Sequence, residues 1–198
     1  GFNEGLSNFS VTNNEKYLIS SHYGRSAGIR LWNLRKGQID GFVPGPMSFS
    51  YSNGKQIAQY SPQDGIITVY NAPSLKVAYR LNKLTNVQEV YLSKSGKRLI
   101  YKTAKKLDNY RFKITLNIWD VSSPQKPKLI REVAARTTDL KATKKIMVLA
   151  YEMSPNDDYL ILRVNETLKD GSSGFKVKSI DLASGKTTME YRLNMFYD

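Results

Sequence analysis

Residues that ordinarily carry covalent or acid–base chemistry are sparse in this chain, and their spacing does not assemble a reaction. His22 is the single histidine, so a His-based triad is conceivable while a multi-histidine metal site is not. A turn histidine more often serves as a surface hydrogen-bonding group. No cysteine is present, which removes thiol catalysis, disulfides and thiolate metal sites. Ser184-Gly185-Lys186-Thr187 ends like a phosphate-binding loop, but position 180 is Ile where that pattern needs Gly, and a strand is expected after it in place of a helix. It reads as a hairpin turn. Ser173-Gly174-Phe175-Lys176 has the spacing of a Ser/Lys nucleophile pair without the supporting motifs. Asp157-Asp158 lies in a turn lacking a surrounding loop of oxygen ligands, so solvated carboxylates are expected and not bound calcium. The sequons Asn8-Phe9-Ser10 and Asn165-Glu166-Thr167 would matter only in a secretory compartment. The expectation from this inventory is a non-enzymatic protein with no metal and no cofactor.

The elements that would position any site are written in a phrase that recurs four times: Val11-Thr12-Asn13-Asn14-Glu15-Lys16-Tyr17-Leu18, Ser50-Tyr51-Ser52-Asn53-Gly54-Lys55-Gln56-Ile57, Leu92-Ser93-Lys94-Ser95-Gly96-Lys97-Arg98-Leu99 and Met153-Ser154-Pro155-Asn156-Asp157-Asp158-Tyr159-Leu160. Each is a tight turn entering a strand, and Asn53-Gly54 carries the signature of a type I′ hairpin, in which both residues take positive φ. A second phrase follows each copy: Ile29-Arg30-Leu31-Trp32-Asn33-Leu34, Ile67-Thr68-Val69-Tyr70-Asn71-Ala72, Leu116-Asn117-Ile118-Trp119-Asp120-Val121 and Val177-Lys178-Ser179-Ile180-Asp181-Leu182. Apolar residues alternate, and an Asn or Asp then opens a turn by binding backbone N–H groups. The first two separations between copies match the roughly 40–45-residue period of propeller blades, and the third is that period plus insertions.

The two phrases together resemble the F-S-P-D-G-K-Y-L type turn and I-x-L-W-D-L type strand of the WD-repeat and WD-like β-propellers. Met153–Leu160 and Leu116–Val121 lie closest to that pattern. The family's opening Gly-His pair is missing. The resemblance implies an all-β propeller of four-stranded antiparallel blades, with repeats at about 6–43, 46–81, 87–133 and 146–193. In the first, strands are expected near Ser7–Val11, Tyr17–Ser21, Ile29–Leu34 and Gln38–Phe42. Irregular stretches are expected at about 102–113, 133–145 and 165–174.

Length and composition fit one globular domain: 198 residues, 40% hydrophobic and 11% aromatic. No apolar run approaches the roughly 18 residues that a membrane helix needs, so membrane insertion is not expected. No signal peptide is visible, but the chain lacks a starting Met, so the compartment is left open with the cytoplasm slightly favoured. Four repeats leave two open sheet ends, which invite pairing. Three solutions follow: an excised piece of a longer chain, two copies closing an eight-bladed ring, or closure with four blades. The first is preferred because the chain begins and ends in mid-pattern, with Asn194–Asp198 resembling the approach to another unit.

Charge is the second guide. The net charge is +13; residues 1–91 carry 9 Lys and Arg against 5 acids, residues 92–145 carry 15 against 4, and residues 146–198 carry 6 against 8. In a meander, loops between second and third strands and loops between units leave on one face. That face should therefore gather Lys102, Lys105, Lys106, Tyr110, Arg111, Phe112 and Lys113 with Arg136, Lys141, Lys144 and Lys145. It is the candidate partner-binding surface. A protein partner is the leading expectation. Tyr110-Arg111-Phe112-Lys113 interleaves rings and cations as single-stranded nucleic acid would require, and some eukaryotic translation initiation factors contain similar WD-like blades, so an RNA- or ribosome-associated propeller is the alternative. An enzyme whose active site is completed by further blades is the third reading. The plainer reading is that basic loops stay solvated.

Overall fold

The computed structural model describes residues 5–23, 27–45, 50–107, 112–137, 144–168 and 172–193, which form strands and turns with no helix among them. The first meander is β1 (Gly5–Val11), β2 (Tyr17–Tyr23), β3 (Gly28–Asn33) and β4 (Gln38–Pro44). The second is β5 (Ser50–Ser52), β6 (Gln56–Ser61), β7 (Ile66–Asn71) and β8 (Lys76–Leu81). The third is β9 (Val87–Leu92), β10 (Arg98–Lys106), β11 (Phe112–Asp120) and β12 (Lys128–Thr137). The fourth is β13 (Lys144–Met153), β14 (Tyr159–Leu168), β15 (Ser173–Asp181) and β16 (Thr187–Leu193). Consecutive strands pair antiparallel within each meander, and one residue pair, Arg136 with Met147, joins the third to the fourth. First strands of successive meanders are neighbours, β1 with β5 and β5 with β9. These are blades of a partial β-propeller.

One turn design is used four times. The residue after Asn14, Asn53, Ser95 and Asn156, which hold equivalent places in the four copies, is left-handed: Glu15 (φ 55), Gly54 (φ 79), Gly96 (φ 77) and Asp157 (φ 62). The next residue's carbonyl then accepts an amide from the far end of the second phrase, Leu34 to Lys16, Ala72 to Lys55, Val121 to Lys97 and Leu182 to Asp158, at 2.8–3.0 Å. This bond ties the β1–β2 type of turn to the β3–β4 type within every blade. The Asn or Asp of the second phrase opens its turn as the sequence indicates: Asn33 Oδ1 accepts the amides of Arg35 and Lys36, Asp120 that of Ser122, and Asp181 that of Ser184. Asn53-Gly54 departs from the type I′ expectation, because only Gly54 has positive φ. Asn53 instead uses its side-chain oxygen to accept the amides of Lys55 and Gln56 at 3.0 and 2.8 Å, which supplies the turn without a second left-handed residue.

Apolar packing lies between blades. Ile19, Ile29 and Leu31 meet Ile57; Ile67 and Val69 meet Leu92, Leu99 and Tyr101; Ile100, Leu116 and Ile118 meet Leu160, Leu162 and Val164. Side chains alternate along a strand, so Leu99 and Tyr101 face the second blade while Ile100 faces the fourth. An unbroken Leu99-Ile100-Tyr101 run is therefore what a blade covered on both sides requires. The outer blades lack one cover: Phe9, Val11, Ile39 and Phe42 are exposed on the first and Ile161, Met189 and Tyr191 on the last.

The three stretches expected to be irregular are largely strand. β10 continues to Lys106 and β11 begins at Phe112; β12 reaches Thr137 and β13 begins at Lys144; β14 reaches Leu168 and β15 begins at Ser173. Each prolonged strand finds an equally prolonged neighbour, so its backbone N–H and C=O groups stay paired beyond the blade body. Blades three and four thus carry arms formed by β10 to β15, which run to 9 or 10 residues where β6, β7 and β8 have 6.

Candidate basic binding end

Strand register brings the arms to one end of the molecule. Along β10 and β11, Lys105 pairs with Lys113 and Lys106 with Phe112; Lys113 also pairs with Thr137, and Ile114 with Arg136. On β13, Lys144 pairs with Leu168 and Lys145 with Thr167. Lys102, Lys105, Lys106, Phe112, Lys113, Arg136, Lys144 and Lys145 are thereby gathered by backbone position. Tyr110, Arg111 and Lys141 lie outside the described residues.

Opposed lysines are an unusual use of a ladder. Lys105 and Lys113 are direct cross-strand partners and both exposed, an arrangement that costs up to about 1 kcal/mol by like-charge repulsion. No described carboxylate lies within ion-pair distance of Lys105, Lys106 or Lys113. Lys102 differs, since its ammonium meets Glu89 at 2.5 Å.

The fourth blade pairs two of its lysines, Lys176 and Lys178, with acids. Glu166, 3% exposed, accepts from Lys176 at 2.8 Å and Lys178 at 2.6 Å, and Glu190 meets both lysines. Hydrogen bonding to Glu166, and next to Glu190, raises Lys176 above the ordinary lysine value; hydrogen bonding from Lys176 lowers Glu190 against a smaller opposing effect of burial. The quartet pairs the β15 lysines, whereas Lys105, Lys106 and Lys113 stay exposed on the arm of the third blade. Its one readable signal is parity: Glu166 continues the core-facing series Leu160, Leu162, Val164, where a charge demands partners. Sequence reasoning passed over it.

A cleft of about 340 Å³ opens between the third blade and β13, lined by Glu89, Tyr91, Lys102, Leu116, Met147 and Tyr151 among others. Tyr91 and Tyr151 meet edge to face at 6.0 Å. Sequence reasoning missed this cleft too, because its walls come from five strands, β9 to β13, spread along the chain.

The remaining chemical candidates are drawn into the framework. Trp32 Nε1 donates to Ser20 Oγ at 2.7 Å, and Ser20 is 2.8 Å from His22 Nε2. Ser184 and Gly185 lie in the turn between β15 and β16, with the Ser184 hydroxyl on Asp181. Ser173 and Lys176 are three apart on β15 and so point to opposite faces. Asp157 corrects the expectation of a solvated carboxylate. It is 1% exposed and accepts the hydroxyls of Ser93, at 2.9 Å, and Ser95. Its left-handed backbone turns the carboxylate inward, where serines replace water. Among the described residues no group of three or more His, Cys, Asp or Glu could hold a metal ion, and no helix is long and apolar enough to cross a membrane.

No protein-family model and no curated protein matches this chain. Solved structures do. The Cps50 (Swd1) β-propeller domain of Myceliophteria thermophila has a TM-score of 0.58 at 12% identity, over 96% of this chain and 60% of that one. Kuenenia stuttgartiensis hydrazine synthase has 0.57 at 15%, over 93% and 48%. The dihydro-heme d1 dehydrogenase NirN has 0.54 at 15%, over 96% and 38%. The chain spans roughly 40–60% of the length of these structures, and what it is similar to in all three is a propeller-like fold.

Proposed function

We propose that this chain is a non-enzymatic interaction module of WD-like propeller type, engaging an acidic protein partner through the arms of its third blade. The observation that carries the reading is the opposed pair Lys105 and Lys113, exposed on one face of the arm while Lys106 is exposed on the other, with no described carboxylate in range. A ladder that accepts cross-strand repulsion in the free state relieves it when an anionic surface docks. The folded propeller supplies a rigid base for such arms. Enzymes stand among the structural neighbours, at identities that speak to fold alone.

Labelled polyglutamate and labelled poly(U) RNA, titrated at low and high salt against the wild-type chain and the triple variant Lys105→Glu, Lys106→Glu, Lys113→Glu, test it. Polyglutamate binding that weakens with salt and disappears in the variant supports the reading. Unaltered binding by the variant refutes it. The RNA alternative is favoured by the Tyr110-Arg111-Phe112-Lys113 interleaving. Tight RNA binding with no polyglutamate binding would replace the first reading with the second.

A further inference from the structure

The cleft at the base of the arms has a chemistry that a row of cations does not explain. Ile114, Leu116 and Ala135 contribute apolar surface from the third blade, and Met147 to Tyr151 form the facing wall on β13. Met147 and Leu149 keep more than a third of their surface exposed there, at 39% and 38%. At about 340 Å³ the hollow is near the lower limit of ligand pockets, matching one large side chain. Its rim is charged. Lys102 lines it, paired to Glu89, and Lys106, four residues further along β10, lies on the same side of the sheet. Lys106 is exposed and has no described carboxylate in range. An apolar hollow continued outward by cations complements a chain segment with the opposite order: a bulky apolar residue followed by acids. Glu89 on the rim disfavours a phosphate inside the hollow.

We infer that this cleft seats one bulky apolar side chain of an acidic peptide segment, whose carboxylates then run outward past the Lys102–Glu89 pair to Lys106. The inference rests on the acidic-partner reading and adds a requirement that charge alone cannot supply, an apolar anchor. Burying the anchor favours binding in proportion to the area removed from water, whereas the carboxylate contacts are screened by salt.

Two labelled peptides test it in the wild-type chain by fluorescence anisotropy: one tryptophan between runs of aspartate, and the same peptide with alanine in its place. Tryptophan is expected to tighten binding by about tenfold or more, with a ratio that persists as salt weakens both. Leu149→Asn, which removes apolar surface at an exposed position without adding charge, should bring the ratio toward one by weakening the tryptophan peptide. Lys106→Glu should weaken both peptides and preserve the ratio. Melting curves confirm that each variant is folded. Equal binding of the two peptides to the wild-type chain overturns the apolar seat and leaves the acidic-partner reading standing. Binding of neither peptide, with capture of labelled poly(U), overturns both.

Discussion

Ser93 Oγ donates a 2.9 Å hydrogen bond to the carboxylate of Asp157, which sits in the next blade. Both residues are shielded from solvent, at 0% and 1% exposure. The bond belongs to a series on the turn side of the blades: the Asn13 amide donates to the Gly54 carbonyl at 3.1 Å, and Asn53 Nδ2 to the Ser93 carbonyl at 2.7 Å. Each repeat turn is thereby fastened to the next.

Asp157→Ala removes the acceptor of two serine hydroxyls and leaves the Ser93 oxygen buried with less satisfaction. A loss of about 2–3 kcal/mol is expected in urea denaturation. Asp157→Asn keeps an acceptor and tolerates the left-handed backbone, so it should lose about half as much.

Gly54→Ala tests the turn-to-turn seam. The added Cβ would stand 2.3 Å from Asn13 Oδ1 and 3.0 Å from the Val11 carbonyl, at φ +79. Gly37, at φ +66, has nothing within 4 Å of the same atom. Both alanines carry the left-handed penalty of about 1 kcal/mol, so the extra loss at Gly54, measured by denaturant midpoint, reports inter-blade contact alone.

Acid should destabilise the fold in a defined window. Hydrogen bonding from Lys176 lowers Glu190 below its ordinary 4.5. Burial pushes Asp120 upward, but hydrogen bonds from the Ser122 hydroxyl and amide, and Arg98 beside it, together bring it below its ordinary 3.8. A depressed carboxylate contributes stability that is present above its ordinary value and lost as pH falls through its folded one. Lys176, raised above 10.5, contributes stability present below that value and lost as pH rises through its folded one. Denaturant midpoints should be flat between these limits and fall below about pH 4. Glu190→Gln should flatten part of the acid slope, and an unchanged slope would refute the assignment.

The uncovered faces of the outer blades predict self-association of the isolated polypeptide. Phe9 is 65% exposed and Phe42 47% on one face; Tyr191 is 64% and Met189 51% on the other. Large apolar side chains left exposed on an uncovered sheet face mark an interface. Light scattering should show mass rising with concentration, and Phe42→Ser with Tyr191→Ser should restore the monomer. A monomeric wild type at all concentrations would contradict it.

The turns were legible in the sequence because their chemistry is local: Asn33, Asp120 and Asp181 bind amides two or three residues away, and a short window contains both partners. The charge asymmetry was equally plain, since it needs only counting. Arms read as loops because lysines at Lys102, Lys105 and Lys106 look like solvated turn residues until the paired strand from Phe112 is present to satisfy their backbone. Asp157 read as a surface acid because its acceptor role depends on Ser93 and Ser95 in another blade. Long-range partners leave no trace in a window of ten residues, which is also why Tyr91 and Tyr151 were not joined in advance.

Among the described residues the seams join each blade to its neighbour, so cohesion here is a chain of pairwise links. Amide exchange should accordingly be slowest in the second and third blades, sandwiched on both sides, and fastest in the outermost ones, with opening that peels inward from either end.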